Sequence, residues 1–378
     1  MKKICLIGGE GIGIEVINSA KKVLQALAIP NIELIEADAG APAEKKYGTS
    51  FPQETKECII NSDAILFGAT HTKAIDVLLF LRFELDNFAN LRPCKLYDGL
   101  NSPLKVKKSI DFIIVRENLE GLYSVIKVGE GKLIDLVKKE VISEEIFEKF
   151  FKKSDGYYAT KIITKFESER ISKLACDITI KRKKENHPGK LTIVHKSNVM
   201  SKTDGLFKKI AYSIAEEYIK KYNILLDDYY VDDMARRLVR FPEEQDVLLM
   251  INEYGDILSD LGAEIVGGLG LAPSACIGTK HPYFEPVHGS APDIAGKGIA
   301  NPIAALLSLK MLLEYLGLKE AELLEKSLKK YFLLLKDIKN NWKYIPRDLV
   351  PRFYKIQNKF GKTVQVTEKI IKILESLP

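Results

Sequence analysis

Asp256 and Asp260 stand four residues apart in Gly255-Asp256-Ile257-Leu258-Ser259-Asp260-Leu261. On a helix this spacing puts both carboxylates on one face, where like charges repel. A dication turns that repulsion into a site, and oxygen-only ligands favour Mg²⁺ or Mn²⁺ over zinc. A solvated helix face fits the same spacing, with Asp256 near a helix start where the dipole favours an acid. Arg82, Arg92 and Arg116 form a second group. Guanidinium forks bind carboxylates bidentately, so the group suits an anionic substrate. Arg116 ends an apolar run, a common place for a functional residue in an α/β sheet. Taken singly, each arginine also fits a surface ion pair. Lys196 follows another apolar run and could serve as a base or proton relay, or simply be exposed. His195 reads as structural, because the five histidines show no zinc-binding spacing.

Two glycine-rich stretches could hold a cofactor. Gly8-Gly9-Glu10-Gly11-Ile12-Gly13 follows a strand and opens a helix. Its register fails the dinucleotide fingerprint: Gly9 and Gly11 call for a glycine where Ile14 stands, and Gly11 and Gly13 for one where Val16 stands. A tight strand-to-helix turn is the simpler reading. Residues 285–302 form a loop of small residues, Gly and Pro that opens onto a helix. Small residues let a ligand approach the backbone, and Asp293 could accept hydrogen bonds from a ribose diol. An ordinary surface loop is the alternative.

These residues need elements to hold them. Apolar runs at residues 4–7, 32–35, 64–67, 111–115, 191–194 and 247–251 read as strands. After the first run, Val16, Ile17, Ala20, Val23, Leu24 and Leu27 recur at helical spacing. Helices are expected at 303–316, 320–336 and 368–377, the last capped by Thr367. Strand–helix alternation implies an α/β protein with a largely parallel sheet. Residues 181–189 are strongly polar and read as a basic patch or a solvated hairpin or loop. Residues 340–359, rich in Lys, Arg, Tyr and Pro, look like a surface insertion.

The 378 residues suggest two or three domains at about 150 residues each. Hydrophobic residues make up 46% and charged residues 29%, which excludes a disordered chain. A net charge of +6 is too mild for a nucleic-acid footprint. Five scattered cysteines with no C-x-x-C argue against a disulfide framework and for a reducing compartment. No apolar run reaches the length of a spanning helix, so a soluble cytoplasmic protein with no membrane partner is expected.

Five ordered motifs together resemble the isocitrate/isopropylmalate dehydrogenase family of β-decarboxylating NAD(P) dehydrogenases. They are residues 9–13, 86–93, 115–123, Tyr230-Val231-Asp232 through 255–260, and 288–302. The resemblance implies that family's fold: two α/β domains with a mainly parallel central sheet, and not a Rossmann fold. One domain would combine 1–95 with 266–378, and the other would be 96–265 with the dimer interface.

The resemblance also implies roles. Arg82, Arg92 and Arg116 would clamp the substrate's malate carboxylates. Asp232, Asp256 and Asp260 would hold Mg²⁺ or Mn²⁺. Lys196 with Asp232 would take the hydroxyl proton, and Tyr123 would return a proton to the enol. Lys196 and Asp232 would reach into a neighbouring subunit, implying a homodimer or higher assembly with shared sites. Ile12, His288, Gly289, Ser290, Ala291, Asp293 and Asn301 would bind the cofactor. Asp293-Ile294 stands where NADP-using members tend to carry Lys-Tyr, which favours NAD. Leu78 and Leu79 look like the wall that accepts an isopropyl group, making 3-isopropylmalate the leading substrate. D-malate or tartrate, and isocitrate or homoisocitrate, are the alternatives. A non-catalytic regulatory or RNA-binding member is the alternative of another class. The family's Asp is Glu10 here, its Pro is Ile14, and the loop between Gly68 and Leu78 is short.

Overall fold

The computed structural model describes residues 1–106 and 108–377. Ten strands form one sheet: β1 (Lys2–Gly9), β2 (Ile32–Ala37), β3 (Ala64–Ala69), β4 (Ala89–Lys95), β5 (Asp111–Glu117), β8 (Lys190–His195), β9 (Leu225–Tyr230), β10 (Val247–Met250), β11 (Pro273–Ile277) and β12 (Tyr283–Pro286). β6 (Glu130–Lys132) and β7 (Tyr157–Ala159) form a separate antiparallel pair. The large sheet runs β2-β1-β3-β12-β11-β4-β5-β10-β8-β9. Both flanks are parallel, while β12-β11-β4-β5 are antiparallel and join them.

All six expected strands are present. Their continuous apolar runs follow from helices covering both faces of the sheet. Side chains alternate in β5 and β10. Ile113, Val115, Val247 and Leu249 pack with Ile171, Phe207 and Ala211. Phe112, Ile114, Leu248 and Met250 pack on the other side with Met234, Leu238 and Leu258. A third core joins both chain ends: Ile17, Ala20 and Leu24 meet Leu306, Leu309, Leu324 and Ile370. Among the described residues, no helix is long and apolar enough to cross a membrane.

Three expectations need correction. The last helix is Thr363–Glu375, so Thr367 lies inside it and donates to Thr363 O at 2.8 Å instead of capping. Only 185–189 form the expected loop, and residues 181–184 are the last turn of the helix Lys165–Lys184. Their positive charges meet the negative end of the helix dipole. Arg182 there donates to buried Asp246 Oδ1 at 2.6 Å. Residues 340–359 are not purely surface: Ile345 and Val350 are buried, and Tyr331 donates to Tyr344 O at 2.7 Å.

Candidate active site

Two arginines come from adjacent strands. β4 and β5 pair with Asn90 opposite Arg116, which puts Arg92 and Arg116 on one face as diagonal neighbours. Arg92 is 7% exposed and Arg116 1%. Arg82 arrives from a π-helical turn, Phe80–Glu84, a distortion frequent at functional sites. All three line one cavity of about 260 Å³ with Tyr123 and Asp256.

Buried guanidiniums need a counter-charge, and the helix Asn252–Ile265 supplies it. Asp256 Oδ1 pairs with Arg116 Nη1 and lies 3.2 Å from Arg92 Nη1. Arg116 Nε and Nη2 donate to Asn252 Oδ1 at 2.9 and 2.6 Å. Arg92 Nη1 donates to Ser259 Oγ at 2.5 Å and sits 3.8 Å from Asp260 Oδ1. Burial and the charge of Arg92 bring the Arg116 guanidinium down to about 10, so it stays charged at neutral pH. Burial works against the Asp256 charge, yet Arg116 and Arg92 hold that carboxyl below its usual range. Burial pushes Asp260 up, and the Asp256 charge adds to the shift. Tyr123 donates its hydroxyl proton to Asp256 Oδ2. Burial and that carboxylate raise the phenol, so it remains a proton donor.

The cavity has two characters. Arg82 Nε is buried and makes no hydrogen bond, although Tyr283 lies beside the guanidinium; the charge of the group suits an anionic ligand in the cavity. Ile75, Leu78, Leu79 and Ile126 form an apolar wall. Glu285 also lines the cavity, its carboxyl pushed up by burial in spite of the arginines.

Lys196 and Asp232 pair with each other through Nζ and Oδ1, and neither lines this cavity. The Lys196 charge holds the Asp232 carboxyl below its usual range. Within one chain, Asp256 and Asp260 are the acidic pair near the arginines. Among the described residues, no group of three His, Cys, Asp or Glu side chains gathers in a metal-holding arrangement. The two helix acids still suit a hard dication, which would relieve the repulsion that raises Asp260.

His195 is structural, as expected. Its Nε2 meets Asp228 Oδ2 at 2.7 Å, and Nδ1 accepts from Ser197 N at 3.2 Å, so these partners assign the proton to Nε2. Burial lowers its pKa. The folded state therefore takes up this proton less readily than the unfolded chain. The stability from neutral His195 is complete above the unfolded pKa, about 6.5, and is lost as pH falls through the lower folded value. Urea melts of wild type and His195→Gln from pH 5 to 8 should show an acid-side loss in wild type that the variant lacks. Parallel curves would remove this role.

A second cavity, about 320 Å³, is lined by Ile12, His288, Ala291 and Asn301. Gly11 makes the approach possible. Its φ is +59°, and a Cβ there would sit 2.1 Å from Ser290 O, which accepts from Ile12 N at 2.9 Å. His288 lines both cavities. Its Nδ1 faces Gly289 O at 3.1 Å and so carries the proton, which leaves buried Nε2 as an acceptor with no donor. A hydroxyl or amide of a dinucleotide would supply that donor. Gly289 lines the first cavity, and Asp293 is exposed outside both linings.

The sequence reading missed several lining residues. Glu285 sits just before His288 in a stretch already singled out, so its position at the end of β12 was a usable signal. Arg347, Asp348 and Lys355 line the second cavity from the insertion. Asn301 Nδ2 donates to Asp348 Oδ2 at 3.0 Å, and burial pushes the Asp348 carboxyl up. No local pattern marks these three.

Comparison with known proteins identifies the family. Residues 3–369 match the family model described as isocitrate/isopropylmalate dehydrogenase. A 3-isopropylmalate/3-methylmalate dehydrogenase of Methanocaldococcus jannaschii is 45% identical over 88% of this chain and 92% of its own length. A homoisocitrate dehydrogenase of the same organism is 41% identical over 89% of this chain and 92% of its own. The crystal structure of isocitrate dehydrogenase from Methylococcus capsulatus superposes with a TM-score of 0.82 at 32% identity, covering 100% of both chains. The protein is thus a dehydrogenase and belongs to the isocitrate/isopropylmalate dehydrogenase family.

Proposed function

We propose that the chain catalyses NAD-dependent oxidative decarboxylation of a 3-substituted malate, with 3-isopropylmalate as the leading substrate. One observation carries this choice. The cavity sets three buried arginines against the apolar wall of Ile75, Leu78, Leu79 and Ile126. Two carboxylates and a branched alkyl group match those surfaces. A third carboxylate against the wall would lose its hydration without a partner.

Arg82, Arg92 and Arg116 orient the two carboxylates. Asp256 and Asp260, with Asp232 of a second copy, are the residues to hold Mg²⁺ or Mn²⁺. Such an ion, when bound, supplies Lewis-acid stabilisation of the developing enolate. Lys196, in its uncharged form, would take the substrate's hydroxyl proton, and a nicotinamide, when bound, would supply the hydride acceptor. After CO₂ departs, Tyr123 donates the proton that returns the enol to the ketone. Ile12, His288, Ala291 and Asn301 of the second cavity would hold NAD, with His288 Nε2 available as an acceptor.

This scheme needs a homodimer or larger assembly, because Lys196 and Asp232 do not line the cavity of their own chain. The core that joins the chain ends supports a unit of 1–95 with 266–378 and a second of 96–265, with β4 between them: its Ala89 and Cys94 pack into the central cores. The free cysteines support a cytoplasmic setting.

NADH formation with Mg²⁺ or Mn²⁺ is the test, across 3-isopropylmalate, D-malate, tartrate, isocitrate and homoisocitrate, each with NAD or NADP. The highest kcat/KM is expected for 3-isopropylmalate with NAD. A tricarboxylate in first place would reverse the reading of the wall, and no turnover with any of the five would remove the proposed substrate class.

A further inference from the structure

We propose that Lys161 is a positioning residue that holds the two proton-handling groups, Lys196 and Tyr123, through one buried ion cluster. The proposal deepens the reaction above and rests on it for what those two groups do.

Lys161 lies in the segment between β7 and the helix Lys165–Lys184. Its side chain is 10% exposed, and its Nζ sits 2.6 Å from Asp204 Oδ1 and 2.8 Å from Glu253 Oε1. Those partners are 0% and 7% exposed. A buried cation between two buried carboxylates is costly to assemble, and removing the cation would strand two charges. Such a cluster therefore fixes whatever its outer oxygens hold.

The outer oxygens hold the two catalytic segments. Asp204 Oδ2 accepts from the backbone N of Lys196 at 2.7 Å and from the Tyr254 hydroxyl at 3.0 Å. Glu253 Oε2 accepts from Leu122 N at 3.1 Å, next to Tyr123. Glu253 also stands on the helix that carries Asp256 and Asp260. Beside Lys161, Ile162 exchanges backbone hydrogen bonds with Gly121 at 2.8 and 3.2 Å. Gly121 has a φ of +76°, and a Cβ there would sit 2.2 Å from Glu253 Oε2. Only glycine lets the Tyr123 strap lie this close to the carboxylate. One ammonium thus links the turn of Lys196, the strap of Tyr123 and the helix of the acidic pair. It lines neither cavity, so it acts through these groups and not on substrate.

Lys161→Met and Lys161→Arg test the link, with Glu253→Gln in case the first folds poorly. In Lys161→Met, hydrogen–deuterium exchange should speed up at residues 119–124 and 195–204 while β5 and β10 stay protected. The kcat should fall about 10- to 100-fold with the substrate KM within about threefold, since the arginine cluster is untouched. Lys161→Arg should recover most of kcat. Glu253→Gln should loosen residues 119–124 but leave 195–204 as in wild type. Overturning results are unchanged exchange at either segment in Lys161→Met, or a rise in KM matching the fall in kcat. If wild type turns over no hydroxy acid, the proposed reaction fails. The exchange pattern then decides the Lys161 link alone.

Discussion

Lys196→Met is expected to lower kcat by about 10²- to 10⁴-fold, the range that a positioned acid–base group contributes. The KM for the hydroxy acid should change little, because Arg82, Arg92 and Arg116 lie in a different part of the chain. The fold should persist. Lys196 is partly exposed, and its partner Asp232 is 67% exposed at the side chain. The sharper result comes from mixing. Tyr123→Phe carries its defect in the cavity of its own chain, since Tyr123 lines that cavity. Lys196 does not line it. If Lys196 serves a second copy, a mixed dimer of the two variants has one site with both defects and one with none. Random assembly should then restore about a quarter of wild-type turnover, as follows from twofold symmetry. Activity no higher than the mean of the parent variants would place Lys196 in its own chain's site.

Much of this arrangement was legible in the residues. The strands that carry Arg116 and Lys196 announce themselves, because a strand covered on both faces must be apolar throughout. The spacing of Asp256 and Asp260 fixed their common helix face. The fingerprint fails at residues 9–13, and the resemblance puts the cofactor on residues 288–301, which approach that turn through Ser290.

What was not legible depends on distant pairing. β4 contains Arg92-Pro93, which locally suits a turn as well as a strand. It is a strand because β5 pairs along its whole length, while β11 meets only Ala89–Leu91, so Pro93 lies beyond the end of β11. β9 carries Asp227 and Asp228, which look like loop residues until His195, Lys208 and Tyr212 converge on Asp228. β11 and β12 are short and bounded by prolines. The insertion showed only a polar composition. Its Asp348 becomes a cavity residue because Asn301, 47 positions earlier, hydrogen bonds to it. Packing against a remote segment leaves no periodic trace in the sequence.

The two helix acids are expected to separate stability from catalysis. Asp256→Asn and Asp260→Asn should each cut metal-dependent turnover about 100-fold or more, since each replaces a proposed anionic ligand of a Lewis-acid site by a neutral amide. Only Asp256→Asn should also destabilise the fold. Arg116 is 1% exposed, and Asp256 is its carboxylate counter-charge. Breaking a fully buried pair costs about 3–5 kcal/mol, and partial exposure of Asp256 brings the expected cost to about 2–4 kcal/mol. Asp260 differs in each respect. Its side chain is 57% exposed and 3.8 Å from Arg92. Partial desolvation and the neighbouring Asp256 already disfavour its charge, which raises the carboxyl. Neutralising it should therefore leave stability within about 0.5 kcal/mol of wild type, like a surface substitution. Urea melts without metal read the stability difference, and calorimetric Mn²⁺ titration reads the ligand loss. A wild-type melt for Asp256→Asn would show that the arginines find their counter-charge elsewhere. Undiminished Mn²⁺ binding by Asp260→Asn would remove Asp260 from the ligand set, and the pair would then be a solvated helix face after all.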